Sequence, residues 1–62
     1  MNTSYLFLAP GFEEVEALTV VDVMRRAGMD VKTVSILPTR EVTGAHGVTV
    51  TADSVYEKTD FL

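Results

Sequence analysis

The sequence predicts an α/β fold: two parallel strands joined by a helix, then a β-hairpin. Three observations carry this. An apolar run over residues 4–9 stops at Pro10-Gly11, an amphipathic stretch over 13–27 contains neither glycine nor proline, and a β-branched, alternating run over 31–37 stops at Pro38. Strand, helix and strand in that order, with a short turn at each junction, make one βαβ unit.

Residues 4–9 are apolar and aromatic nearly throughout, the pattern of a strand buried on both faces. Pro10-Gly11 supplies the turn. The helix over 13–27 opens on Glu13, Glu14 and Glu16 and closes on Arg25 and Arg26, so both charge groups complement its dipole. Asp22 precedes the arginines at helical ion-pair spacing, and Gly28 suits the position just past the helix end. Ala17, Val20, Val21, Met24 and Ala27 form its apolar face.

Residues 41–43 and 48–52 flank Gly44-Ala45-His46-Gly47, the pattern of a hairpin with a glycine-bearing loop. Val48, Val50 and Ala52 alternate with Thr49 and Thr51, which leaves one face of that arm exposed. Asp53-Ser54 is a capping signal for a short turn over 55–58. Phe61-Leu62 closes the chain on two large apolar residues.

The 62 residues permit one small domain with no internal boundary. A domain this small hides only about 60% of the surface its unfolded chain exposes, and one helix cannot cover two faces of a parallel sheet. Residues 1–62 are therefore expected to be the N-terminal part of a larger α/β domain. A complete small domain held together by self-association is the alternative.

A composition of 47% hydrophobic and 23% charged residues belongs to a folded chain. With no cysteine, these residues offer no disulfide, no thiolate metal site and no cysteine nucleophile. The single histidine predicts no metal site, and no cofactor is expected. A net charge of −4 and a pI of about 4.6 argue against nucleic acid and anionic membranes as partners. No apolar run approaches the roughly 20 residues of a membrane-spanning helix, nor does a signal-peptide pattern open the chain. A cytoplasmic location is the expectation.

The turn at 9–14 follows the carboxyl end of a parallel strand, where open α/β sheets bind ligands. Its one glycine fits neither a dinucleotide fingerprint nor a phosphate loop. Glu16 stands four residues before Val20, at the border of the apolar face, and is expected to look toward the sheet. Glu14 falls on the flank and Glu13 at the loop junction. Two readings stand: all three are solvated helix-start carboxylates, or Glu16 is partly buried and exchanges a proton with a ligand. Gly11 and Glu13 in the turn and His46 in the hairpin loop are candidate binding residues. His46 is either merely solvated or a site residue that titrates near neutrality. Val15 and Leu18 sit on the outward helix face with Arg26, as scattered apolar residues or as a contact for a second chain.

The stretch Leu8-Ala9-Pro10-Gly11-Phe12-Glu13-Glu14-Val15-Glu16-Ala17, followed by Val21-Asp22-Val23-Met24-Arg25-Arg26-Ala27-Gly28, closely resembles the start of the ThiJ/PfpI family. That family includes the parkinsonism-associated protein deglycase, glyoxalase III-type enzymes and PfpI-type peptidases. The segment from Val42 to Val48 with Ala52-Asp53 is similar to the family's hairpin. The resemblance implies a flavodoxin-like, doubly wound and mostly parallel sandwich, related to the glutamine amidotransferases and usually a homodimer. It implies a reactive cysteine on a strand-to-helix elbow, hydrogen-bonded to a first-helix glutamate that corresponds to Glu16. It places the first helix, hence Val15, Leu18 and Arg26, at the dimer contact, and lets the His46 loop approach the neighbouring subunit's site. The implied activity is glyoxalase, deglycase or hydrolase chemistry on aldehydes, carbonyls or amides. Older naming in the family adds thiamine biosynthesis, at 4-methyl-5-hydroxyethylthiazole monophosphate. The alternative is a non-enzymatic oxidative-stress sensor or chaperone-like dimer. Family members carry the cysteine and its histidine beyond the stretch matched here, so residues 1–62 alone do not perform the covalent step.

Overall fold

The computed structural model describes residues 2–61; Leu62, second of the closing apolar pair, and Met1 lie outside the described residues. The chain runs through β1 (Thr3–Leu8), α1 (Glu14–Arg26), β2 (Asp30–Ser35), β3 (Glu41–Thr43), β4 (Thr49–Thr51), β5 (Ser54–Val55) and a 3₁₀ turn at Tyr56–Lys58. β1 and β2 pair in parallel, from Thr3 opposite Asp30 to Leu8 opposite Ser35. β5 adds in parallel to the other edge of β2, giving the order β1-β2-β5. β3 and β4 form a separate antiparallel hairpin.

The α1 helix ends as the sequence predicts. Gly28 takes φ +84°, donates its N–H to Arg25, and lets the Met29 N–H reach back to the Met24 carbonyl. This is the glycine-terminated double bond of a Schellman end, open only to a residue without a Cβ penalty.

Helix and hairpin share one face of the sheet. Leu8, Val42 and Ala52 form the core there, packed by Leu6, Phe12, Ala17, Leu37 and Val50. Side chains such as Leu8 and Val42, almost wholly withdrawn from water, contribute roughly 1.5–3 kcal/mol each.

The opposite face corrects the expectation that β1 is buried on both sides. Phe7 is 49% exposed. Its neighbours on that face are aromatic: Tyr5 meets Phe61 edge-on at 4.7 Å, and Tyr56 lies 6.2 Å from Phe7. The physical reason is that the one helix lies over the Leu6/Leu8 side, while alternation sends Tyr5 and Phe7 the other way.

Two further differences concern phase and length. The inward row of α1 is Glu14, Ala17, Val21 and Met24, whereas Val20 and Ala27 are exposed. Ser54 and Val55 extend the sheet rather than cap a turn, because the Asp53 N–H bonds the Thr33 carbonyl and draws the chain alongside β2.

Asp53 also anchors the base of the hairpin. One carboxylate oxygen accepts from the Thr33 N–H at 2.8 Å, the Thr33 hydroxyl at 3.1 Å and Arg25 Nη2 at 2.8 Å. Arg25 also donates twice to the Val31 carbonyl. Burial pushes the Asp53 carboxyl up, but the Thr33 donors and the Arg25 charge outweigh it and hold it below 3.8.

Candidate functional site

The turn after β1 and the tip of the hairpin are fastened to each other. Gly11 donates its N–H to the Thr43 carbonyl at 2.9 Å, and Ala45 donates to the Phe12 carbonyl at 2.8 Å. Gly11 adopts φ +84° to make the turn, a conformation costly for any residue with a side chain.

Glu14 completes the fastening. Its Oε2 accepts from the His46 N–H at 2.7 Å and the Val48 N–H at 3.3 Å. Its Oε1 lies 2.9 Å from His46 Nδ1. The loop can wrap a carboxylate this closely because residue 44 is glycine: a Cβ there would stand 2.5 Å from Glu14 Cδ. The Gly44 N–H bonds the Val48 carbonyl, closing the loop around the carboxylate.

The electrostatics follow from these contacts. Burial alone would push the Glu14 carboxyl up. The bond with the His46 side chain and the N–H groups of Glu14 itself, His46 and Val48 outweigh it, and the carboxyl falls from 4.5 to about 2. His46 moves the opposite way, above 6.5, through its bond to Glu14 and the charges of Glu13 and Glu14. Glu13 Oε1 stands 3.7 Å from the same Nδ1.

The predicted binding residues Gly11, Glu13 and His46 thus lie together at the carboxyl end of β1. Glu16 does not join them. It is exposed, and the inward place predicted for it belongs to Glu14. Two residues along a helix turn the side chain to nearly the opposite side, which accounts for the exchange. Val15 is 73% exposed, Leu18 lies on the same outer surface, and Arg26 pairs with Asp22 at 3.1 Å. Sequence reasoning missed Glu14, and the signal that could have found it is Gly44-Ala45-His46-Gly47, a loop of small residues that leaves room for a carboxylate.

Glu13, Glu14 and His46 bring three ligand-capable atoms within 4.8 Å of one another. A metal ion there would have to take Nδ1 and Oε1 from each other, and Oε2 already holds two N–H donors. The arrangement fits a hydrogen-bonded carboxylate and imidazole better than a cation site. Two open surface depressions, of about 430 and 470 Å³, lie elsewhere, beside Asp53, Ser54 and Lys58.

Residues 3–61 match the model of the DJ-1/PfpI family. No curated protein matches the chain significantly. Among solved structures, the chain is 38% identical to a cysteine-to-alanine mutant of a DJ-1 superfamily protein from Salmonella typhimurium. That match has a TM-score of 0.89 and covers 94% of this chain and 31% of that one. It is 34% identical to oxidized Toxoplasma gondii DJ-1, with a TM-score of 0.84 over 89% of this chain and 30% of that one. Schizosaccharomyces pombe DJ-1, at 21% identity, shares the fold with a TM-score of 0.81 over 97% of this chain and 32% of that one. The chain therefore spans about a third of the length of these structures.

Proposed function

The chain belongs to the DJ-1/PfpI family, and from that premise we propose that residues 1–62 form the N-terminal part of one flavodoxin-like domain whose complete form is a cysteine-dependent enzyme. Its substrates are small aldehydes, carbonyls or amides, handled by glyoxalase, deglycase or hydrolase chemistry. The observation that carries this reading is the family match over residues 3–61, which includes the glutamate-rich turn at the carboxyl end of β1.

In this reading Glu16 meets the cysteine. Its exposure leaves the carboxyl free to meet a group supplied from outside these residues. A carboxyl that donates a hydrogen bond to sulfur favours the thiolate, the reactive form. The exposed Val15 and Leu18, with Arg26, form the contact of a homodimer, and the protein works in the cytoplasm.

The test uses the protein expressed from its complete coding sequence. Alkylation of its thiol, followed against pH, reports the thiolate fraction. Glu16→Leu should raise the thiol pKa and lower glyoxalase or deglycase turnover by roughly 100-fold or more. Unchanged thiol titration and turnover in that variant would refute the role of Glu16.

A further inference from the structure

Glu14 and His46 differ sharply in their surroundings. The Glu14 side chain is 9% exposed and the His46 side chain 70%. The carboxylate cannot swing away, because two backbone N–H groups hold its Oε2 and Gly44 lies against its Cδ. The imidazole is therefore held at one edge by a fixed partner. Nδ1 faces Glu14 at 2.9 Å and Glu13 at 3.7 Å, so the other ring nitrogen, Nε2, is the one left for a ligand. The pair stands at the carboxyl end of β1, where open α/β sheets bind ligands.

We propose that Glu14 and His46 form a proton-transfer dyad, in which the buried carboxylate keeps Nδ1 protonated and presents Nε2 as the basic atom to a small ligand bearing a hydroxyl or thiol. The chemistry follows from the two nitrogens. A neutral imidazole carries one N–H, and a carboxylate at Nδ1 selects the tautomer with its hydrogen there. The lone pair then lies on Nε2. Transfer of a proton from a ligand O–H or S–H to Nε2 leaves a ligand anion and an imidazolium. Glu14 balances that imidazolium without being protonated itself, and Nε2 returns the proton to the product. A carboxylate partner fixes ring orientation and strengthens the base in the same way wherever the two groups are paired. Glu14 is the positioning residue and His46 the acid–base group. The dyad needs no cysteine, so it stands apart from the function proposed above.

Histidine-detected ¹⁵N NMR of the protein expressed from its complete coding sequence tests the dyad without any ligand, with the His46 signals assigned by their loss in His46→Gln. Above its titration midpoint, His46 should carry its hydrogen on Nδ1, the minor tautomer of free histidine. Glu14→Ala should return it to the Nε2–H form. Glu14→Gln keeps an acceptor but loses the charge, so it should retain the Nδ1–H tautomer while proton affinity falls roughly tenfold. Diethyl pyrocarbonate serves as the chemical probe and should acylate Nε2 in the wild type. An Nε2–H tautomer in the wild type would overturn the dyad. So would the same tautomer and the same midpoint in wild type, Glu14→Gln and Glu14→Ala. Were Glu14→Ala to unfold, the wild-type tautomer and the Glu14→Gln midpoint would still decide the matter.

Discussion

The hairpin is held at both ends by a carboxylate, and the two ends are built differently. At its tip, Glu14 from the start of α1 accepts from two backbone N–H groups and a histidine, and is almost wholly buried. At its base, Asp53 accepts from Thr33 and from Arg25 near the end of α1, with about two-fifths of its side chain in water. Each anchor uses one end of the same helix. The base pairs a carboxylate with a guanidinium, which keeps its charge at any ordinary pH. The tip pairs a carboxylate with an imidazole, which does not. The base is therefore a fixed staple, and the tip is both a staple and a titrating site.

Removing each anchor in turn breaks the comparison most directly. In Glu14→Ala, amide hydrogen exchange at His46 and Val48 should accelerate by on the order of 100-fold, because two charge-assisted bonds are lost. The amides of Ala52 and Asp53 should be little affected. Gly44→Ala should reproduce that pattern while Glu14 remains, since the new Cβ displaces its carboxylate. The cost should be about 1–3 kcal/mol in urea denaturation. Asp53→Asn keeps an acceptor for the Thr33 N–H but loses the charge facing Arg25, and should cost about 1 kcal/mol with the tip intact.

A pH series sharpens the contrast. The Glu14 carboxyl is lower in the folded chain, so its contribution is present above 4.5 and fades as pH falls toward 2. His46 is higher in the folded chain, so its contribution is full below 6.5 and fades as pH rises through its raised value. Protection at the tip, measured as exchange relative to an unstructured peptide at the same pH, should thus be greatest between about pH 4.5 and 6.5. Asp53, also lowered, contributes fully above 3.8 and should show only the acid-side loss. The smallest effect belongs to Arg26→Ala. It removes an exposed helical pair with Asp22 and should cost no more than about 0.5 kcal/mol.

Local pattern made most of the elements legible. Proline, glycine and charge placed α1 within a residue at each end, and Gly28 ends it as expected. What local pattern could not supply was the rotation of α1. Val15, Leu18, Val20 and Val23 spread apolar residues around its outer surface, so hydropathy offered more than one inward row. The deciding partners of Glu14 are N–H groups some thirty residues later. Asp53 was hidden for the same reason: it reads as a cap, yet its partners are Thr33 and Arg25. At two residues, β5 is too short to show a strand period.

Glu14 is the carboxylate built into the fold at this site, held by the His46 and Val48 N–H groups. Carboxyl-detected NMR of the folded protein, with Glu14 assigned by its loss in Glu14→Gln, measures this group alone. The Glu14 midpoint should lie at about 2 and move upward in His46→Gln. A midpoint at or above 4.5, unmoved by that substitution, would contradict this.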